Sequence, residues 1–482
     1  MHTPSLKKIG AKGAKWTTVS AAIVTILQMV QITILARILG PDAFGLMAMV
    51  MFVVGFAQLY ADMGLGEAII HYQDTTHKQL SSLYWLNIFA GIGVFFLVII
   101  STPLVIAFYG EPRLGGLLYW AALVFIITPL GQQFQFLLQK NLRFQSLATI
   151  EIISAVMGTT IAIVSALAGQ GVYSLIWGLL SNSASKALML LNIGLMAWQP
   201  HWHFSFRDIR GYISFGLYRM GGLSINYINS RADQLIIGSL LGSQILGYYN
   251  LAWNLAIQPI LKINPIITRI AFPLFAKIQT DNERLKRGYF MMLKVLSMIN
   301  FPLLFGLAAV SPLLVLQLFG EQWLPSVILV QILALVAIFR SIVNPIGTLL
   351  LAKGRVDLSF KWSMGILSTS VPGVYLGCQF GGVTGVVFVL LGLQIFYFGL
   401  AYALLIRRLI GNCLKNYMMS IASALILSLV MAVIVALLPL FIEQSPKALL
   451  IQILMGAMVY GGLYFVIEHR ELRELKALFF GS

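Results

Sequence analysis

Fourteen apolar segments of roughly 20 to 30 residues follow one another along this 482-residue chain, with no long polar stretch between them. A run of that length can cross a hydrocarbon core of about 30 Å. Lipid offers no hydrogen bonds to a peptide backbone, so runs of this kind must close their own bonds as helices. The expected fold class is an all-α polytopic membrane protein. Spans are expected to begin near residues 15, 43, 81, 113, 144, 171, 212, 243, 284, 324, 356, 382, 415 and 446. Lys7, Lys8, Lys12 and Lys15 precede the run Trp16 to Leu39, which is too long for a signal-peptide core and lacks a small-residue cleavage site. It reads as a retained first span.

Charge gives the chain a sidedness. With the N-terminus placed inside, 22 of the 32 Lys and Arg residues fall in cytoplasmic segments, and Arg37, Arg113 and Lys447 lie at the outer face. This follows the positive-inside rule and puts both termini in the cytoplasm. The net charge of +16 is thereby mostly topology and contact with anionic membrane lipids; no nucleic acid partner is called for. Seven cations remain at membrane depth: Lys186, Arg219, Arg231, Lys262, Arg269, Lys294 and Arg340. Charges there are costly and mark a functional path, so their excess over acids points to an anionic cargo.

Several anchors repeat. Leu39-Gly40 with Gly45 matches Leu241-Gly242 with Gly247, 202 residues on. Leu137-Leu138-Gln139-Lys140 resembles Leu350-Leu351-Ala352-Lys353, and Gly171-Val172 resembles Gly382-Val383, at offsets of 213 and 211 residues. Six crossings return a chain to its starting side, so the pattern indicates two six-helix lobes in parallel repeat with the site between them, a transporter arrangement. The expected division is 1–210 for the N-lobe, 211–410 for the C-lobe, and 411–482 for two further spans and a cytoplasmic tail.

Polar stripes mark spans seven and eight. Arg219, Gly222, Asn226, Asn229 and Asp233 recur at helical steps, as do Asn250, Asn254, Gln258, Lys262 and Arg269. Amides on such a stripe serve as interhelical glue or as partners for sugar hydroxyls. Snorkelling suits Arg219, Arg269 and Lys294 near the cytoplasmic surface, and suits Lys186, Lys262 and Arg340 poorly. Arg231 and Asp233, two residues apart, are expected on different faces. Asp62, Glu151 and Asp233 are the candidates for H+ or Na+ coupling, the alternative being fixed ion pairs with the buried cations. Of eight prolines in or near spans, Pro265 after Asn264 is the expected functional bend.

Other chemistries lack their residues. No Gly-x-x-x-x-Gly-Lys-Ser/Thr segment is present to bind a nucleotide. His201-Trp202-His203 reads as an interfacial strip, and the two cysteines, Cys378 and Cys413, offer no metal site. No catalytic residue, metal or cofactor is expected, and the outer loops are too tight for an enzyme.

The segments Leu35 to Leu46 (LARILGPDAFGL), Leu83 to Asn87 (LYWLN), Ile263 to Gln279 (INPIITRIAFPLFAKIQ), Phe319 to Trp323 (FGEQW) and Asn344 to Lys361 (NPIGTLLLAKGRVDLSFK) resemble the Wzx-type polysaccharide flippases. Among these the likeness is to the colanic acid and teichuronic acid exporters. The resemblance implies the two-lobed, fourteen-helix, MATE-like fold of the multidrug/oligosaccharidyl-lipid/polysaccharide (MOP) superfamily. It also implies transfer of an undecaprenyl-diphosphate-linked oligosaccharide across the bacterial inner membrane, beside a polysaccharide polymerase and chain-length regulator. On this reading Lys186, Lys262, Arg269 and Arg340, with Arg219, Arg231 and Lys294, meet diphosphate and sugar, while Asn226, Asn229, Asn254 and Gln258 meet hydroxyls. An ion-coupled drug exporter of the same superfamily is the rival class, though its cationic cargo fits seven buried bases poorly. A peptidoglycan-precursor flippase shares the same lipid diphosphate.

Overall fold

The computed structural model describes residues 6–63, 66, 69, 70, 72, 75–440 and 445–480. Among them every regular element is helical. In chain order these are α1 (Leu6–Asp62), α2 (His77–Tyr109), α3 (Leu114–Ala122), α4 (Val124–Lys140), α5 (Phe144–Leu167), α6 (Tyr173–Ala197) and α7 (Phe206–Ala256). Then follow α8 (Gln258–Lys277), α9 (Asn282–Phe319), α10 (Ser326–Val343), α11 (Ile346–Ala352), α12 (Val356–Ala401), α13 (Arg407–Ile410), α14 (Leu414–Leu437) and α15 (Pro446–Phe480). Ten stretches among the described residues are long and apolar enough to cross a bilayer, which makes this a multi-pass membrane protein.

Three rods turn sharply at a glycine. α1 does so at Gly40 (φ 76°, ψ 174°), α7 at Gly242 (φ 83°, ψ −179°) and α12 at Gly382 (φ 56°, ψ −147°). A positive φ costs a side-chain-bearing residue energy that glycine avoids. Gly40 and Gly242, matched in the sequence repeat, adopt nearly the same backbone conformation.

The chain forms two compact units, Met1–Gly247 and Tyr248–Ser482. In the first, α5 packs on α6 and α1, and α4 lies along α6, around Tyr84, Phe134, Leu147 and Leu190. In the second, α9 packs on α14 and α10, with Tyr289, Phe301 and Trp323 fully buried. Large apolar side chains such as Ile100, Leu104 and Phe380 are left exposed, as a lipid-facing surface requires.

The repeat extends to individual hydrogen bonds. Lys140 donates from Nζ to the Tyr72 carbonyl and Thr75 Oγ1 (2.7 and 3.2 Å). Its counterpart Lys353 donates to the Gln279 carbonyl and Asn282 Oδ1 (both 2.7 Å). Each lysine thus ties the turn after its helix to an earlier loop. Both turns close alike, Arg143 N–H reaching the Leu138 carbonyl and Arg355 N–H the Leu350 carbonyl (both 2.9 Å). The loops so held begin helices with matching caps: Thr76 caps α2 in a capping box with Gln79, and Asp281 accepts from the Glu283 and Arg284 amides at α9.

α8 runs on through Pro265, and the boundary between α7 and α8 falls at Ile257, two residues before Pro259. Proline in a first helical turn forfeits no bond, because the N–H there has no intrahelical partner. Pro265 does forfeit one, yet α8 continues past it. Thr268 Oγ1 donates to the Asn264 carbonyl there at 3.1 Å.

Candidate functional site

In the second unit the break at Ile257 divides the polar stripe of span eight. Before it, Asn254 Nδ2 donates to the Asn250 carbonyl (2.9 Å) and its Oδ1 (3.3 Å), and from beyond it Gln258 Nε2 donates back to Asn254 Oδ1 at 3.5 Å. These bonds run along the stripe and carry it across the break. Beyond the break, Lys262 and Arg269 are exposed on α8. Arg340 on α10 stands with its guanidinium carbon 5.5 Å from the centre of the Trp253 ring. A cation over an indole face is held in orientation without losing its charge.

Beside Arg340 lies a buried amide node that fixes the three helices to one another. Asn264 Nδ2 donates to the Ser341 carbonyl at 3.1 Å, and Asn264 Oδ1 accepts from Asn300 Nδ2 at 2.9 Å. Asn264 and Asn300 are both buried. The bond to Ser341 ties the backbone beside Arg340 to α8, two residues from Lys262. Asn264→Ala strips a partner from both the Ser341 carbonyl and the Asn300 amide, and the expected loss is about 1–3 kcal/mol of stability. Thermal unfolding in detergent checks it, with Thr268→Ala, which removes a single less buried bond, as the milder comparison.

The first unit gathers the acids around one lysine. Asp62 Oδ1 accepts from Gln58 Nε2 (2.7 Å) and Gln132 Nε2 (2.6 Å), and Gln132 Oε1 in turn accepts from Asn87 Nδ2 (3.4 Å). Glu151 Oε2 accepts from Ser20 Oγ at 2.8 Å. Both carboxylates lie within electrostatic reach of Lys186, which is half-buried on α6. The arrangement balances one cation against two anions, each anchored by neutral donors.

Span seven holds its polar groups by short-range bonds. Arg231 donates to Gln234 Oε1 (3.1 Å) and lies 5.7 Å from the Tyr227 ring centre, whereas the buried Asp233 accepts from the Gln234 amide at 2.9 Å. Tyr227 itself donates to the Met51 and Phe52 carbonyls (3.2 and 3.1 Å). Asn226 is exposed and Asn229 half-buried on the same helix. Lys294 is half-buried on α9. The side chain of Arg219 lies outside the described residues.

At the glycine turns of α1 and α7 the backbones of two chain segments meet. A methyl group on Gly45 would overlap the Ser243 carbonyl, and one on Gly247 would overlap the Pro41 carbonyl. Asp42 accepts from Ser243 Oγ and from Arg113 Nη1 (2.6 Å), and Arg113 Nε reaches Glu111 at 2.7 Å. The Arg113 hydrogen bond holds the Glu111 carboxyl below the usual carboxylate range.

Sequence spacing thus grouped residues by helix but missed the groups that orient them. Trp253, Gln132, Gln58 and Ser20 carried no charge or stripe to mark them, and Asn264 stood out only as the neighbour of a proline.

Comparison with known proteins adds a family. A family model described as polysaccharide biosynthesis protein matches residues 34–328. The chain is 36% identical over 479 residues to the teichuronic acid biosynthesis protein TuaB of Bacillus subtilis (strain 168), covering 98% of this chain and 99% of that protein. It is 37% identical over 425 residues to the lipopolysaccharide biosynthesis protein WzxC of Escherichia coli (strain K12), covering 88% and 86%. Its fold is similar to that of the lipid II flippase MurJ in an inward closed conformation, with a TM-score of 0.74 over 94% of this chain and 99% of that one, at 14% identity.

Proposed function

This chain belongs to the polysaccharide biosynthesis protein family, and from that premise we propose that it carries an undecaprenyl-diphosphate-linked oligosaccharide from the inner to the outer leaflet of the bacterial cytoplasmic membrane. The reading includes fourteen crossings with both termini in the cytoplasm and transport by alternating access, without catalysis of a bond change. What carries it is the set of three cations on α8 and α10 of the second unit. Lys262 and Arg269 are exposed on α8, and Arg340 stands over the Trp253 ring.

A diphosphate head carries about two negative charges, and guanidinium and ammonium groups are the side chains that neutralise phosphate. Arg340 takes the bidentate role, since its planar fork matches two phosphate oxygens. Lys262 and Arg269 supply point charge on α8, and Asn254 and Gln258 meet sugar hydroxyls. Lys186 with Asp62 and Glu151 is the proposed coupling element: a cation shared by two carboxylates can release one of them to H+ or Na+ when an anion arrives.

Cells lacking the protein test this reading. Undecaprenyl-diphosphate oligosaccharide is expected to accumulate in the inner leaflet, beyond reach of an impermeant sugar-modifying reagent, and its mass identifies the glycan. Absence of accumulation together with new sensitivity to cationic dyes would instead mark a drug exporter.

A further inference from the structure

Residues 198–205, between α6 and α7, carry no regular structure, and the transport reading gives them no part. They fold back along the start of α2, where their backbone is answered group by group. His201 N–H donates to Ser81 Oγ (3.2 Å), and the His201 carbonyl accepts from Trp85 Nε1 (2.9 Å). The His203 carbonyl accepts from Ser82 Oγ (3.5 Å), which accepts in turn from the Ser205 N–H (3.2 Å). His203 N–H closes on the His201 carbonyl at 2.8 Å. Ser81 and Ser82 are fully buried. A loop in water takes such bonds from the solvent, whereas irregular backbone at membrane depth must find them within the protein.

The side chains alternate in the opposite sense to those of a water-facing loop. His201, His203 and Ser205 bring their backbone groups to α2, while Trp202, Phe204 and Phe206 are 89%, 41% and 65% exposed. Trp202 stacks on Trp85, with ring centres 4.2 Å apart and planes 19° apart. Phe204 lies 6.0 Å from Phe89 and 5.1 Å from Phe206. The result is an exposed aromatic ladder built from two segments of the chain.

α2 itself gives the depth of this ladder. Phe89, Ile92, Phe96, Ile100, Leu104 and Phe108 are exposed at three- and four-residue steps, which makes them one lipid-facing stripe. At 1.5 Å per residue the stripe is about 28 Å long, close to the hydrocarbon thickness of about 30 Å. Trp85, one turn before Phe89, therefore stands about 6 Å outside the hydrocarbon, among the headgroups. Phe204, against Phe89, stands where headgroups give way to chains. Indole rings favour that zone, since they join an apolar body to a polar N–H. Lys78, Lys140 and Arg143 share this end, Lys140 being bonded to Thr75 beside the cap of α2, so by the positive-inside rule it faces the cytoplasm.

We propose that residues 201–206 dock in the cytoplasmic leaflet, with the Trp202, Phe204 and Phe206 rings between phospholipid headgroups and the upper acyl chains. The segment is a membrane-surface contact and not an aqueous linker. The ladder runs without interruption into the lipid-facing stripe of α2, and a protein seated on it would have to displace lipid from that helix as well. The proposal is independent of the transported cargo.

The test uses the full-length protein in nanodiscs of phosphatidylethanolamine and phosphatidylglycerol. Its two cysteines are replaced, Cys378→Ala and Cys413→Ala, and one nitroxide is attached at Phe204→Cys or Phe206→Cys with Trp202 in place. Power saturation compares collisions with oxygen, which concentrates in lipid, and with a water-soluble nickel chelate. Phe96→Cys on the stripe and Thr280→Cys in the exposed turn after α8 set the lipid and water limits. Both labels are expected to show an oxygen-to-nickel ratio well above that of Thr280→Cys and below that of Phe96→Cys, which lies deeper. Adding Trp202→Ser should lower the ratio at both positions. A ratio at the Thr280→Cys level at either position would mean that the face meets water, and few collisions with either reagent would mean that protein covers it. Either result, or ratios unchanged by Trp202→Ser, overturns the proposal.

Discussion

Gly45→Ala is expected to lower stability and abolish most export, although the change adds a single methyl group. That methyl would overlap the Ser243 carbonyl, which is backbone and cannot rotate aside as a flexible side chain can. The turns at Gly40–Gly45 and Gly242–Gly247 must then separate, and the Asp42 contacts to Ser243 and Arg113 separate with them. Overpacking of this kind costs about 1–3 kcal/mol. Gly247→Ala should have a similar effect by pressing on the Pro41 carbonyl. Because both substitutions open one contact, their combination is expected to cost less than the sum of the two. Gly93→Ala supplies the control, since a methyl there meets nothing within 4 Å. Alanine also favours a helix over glycine by about 1 kcal/mol, so that variant should be neutral or more stable. Heat resistance in detergent and polysaccharide export, measured side by side, check all four variants; a Gly45→Ala protein as stable and active as the parent would mean that the two turns need not meet.

Neutralising the cations of α8 and α10 has the second large expected effect. Removing a charged hydrogen-bonding partner of a phosphate costs about 1.5–3 kcal/mol, so Arg340→Ala and Lys262→Ala should each weaken binding of the lipid-linked diphosphate by about 10- to 100-fold. Arg340→Lys should recover only part of this. It keeps the charge but loses the planar fork that pairs two phosphate oxygens. Trp253→Leu leaves the charge and removes the ring beneath it, a contact worth about 0.5–2 kcal/mol, and should weaken binding less than Arg340→Ala does. Titration of purified variants with the lipid-linked substrate at two ionic strengths checks the series. The parent should show the steeper salt dependence, and unchanged binding in both alanine variants would remove these residues from the site.

The helical class was legible because lipid leaves a backbone no other choice, and apolar length alone reports it. The repeat was legible because the residues that matched were glycines and lysines with local duties. Gly40 and Gly242 are needed for one backbone conformation, and Lys140 and Lys353 each tie a turn to a loop. Where the chain breaks was harder to read. Pro265 and Pro259 look equally disruptive in sequence, but the first lies inside a continuous helix and the second in a first turn.

The sequence by itself therefore determined what depends on neighbours along the chain: helical state, the glycine turns, the order of polar residues along each face, and the excess of cations over acids at membrane depth. Only the tertiary structure decided the pairings. It set Arg340 over Trp253, Asn264 against Ser341 and Asn300, and Asp62 and Glu151 around Lys186. The physical reason is range. A helix's bonds span four residues, while an ion or an amide buried in a low-dielectric interior takes whichever partner packing brings within a few ångströms, and that partner can lie a hundred residues away.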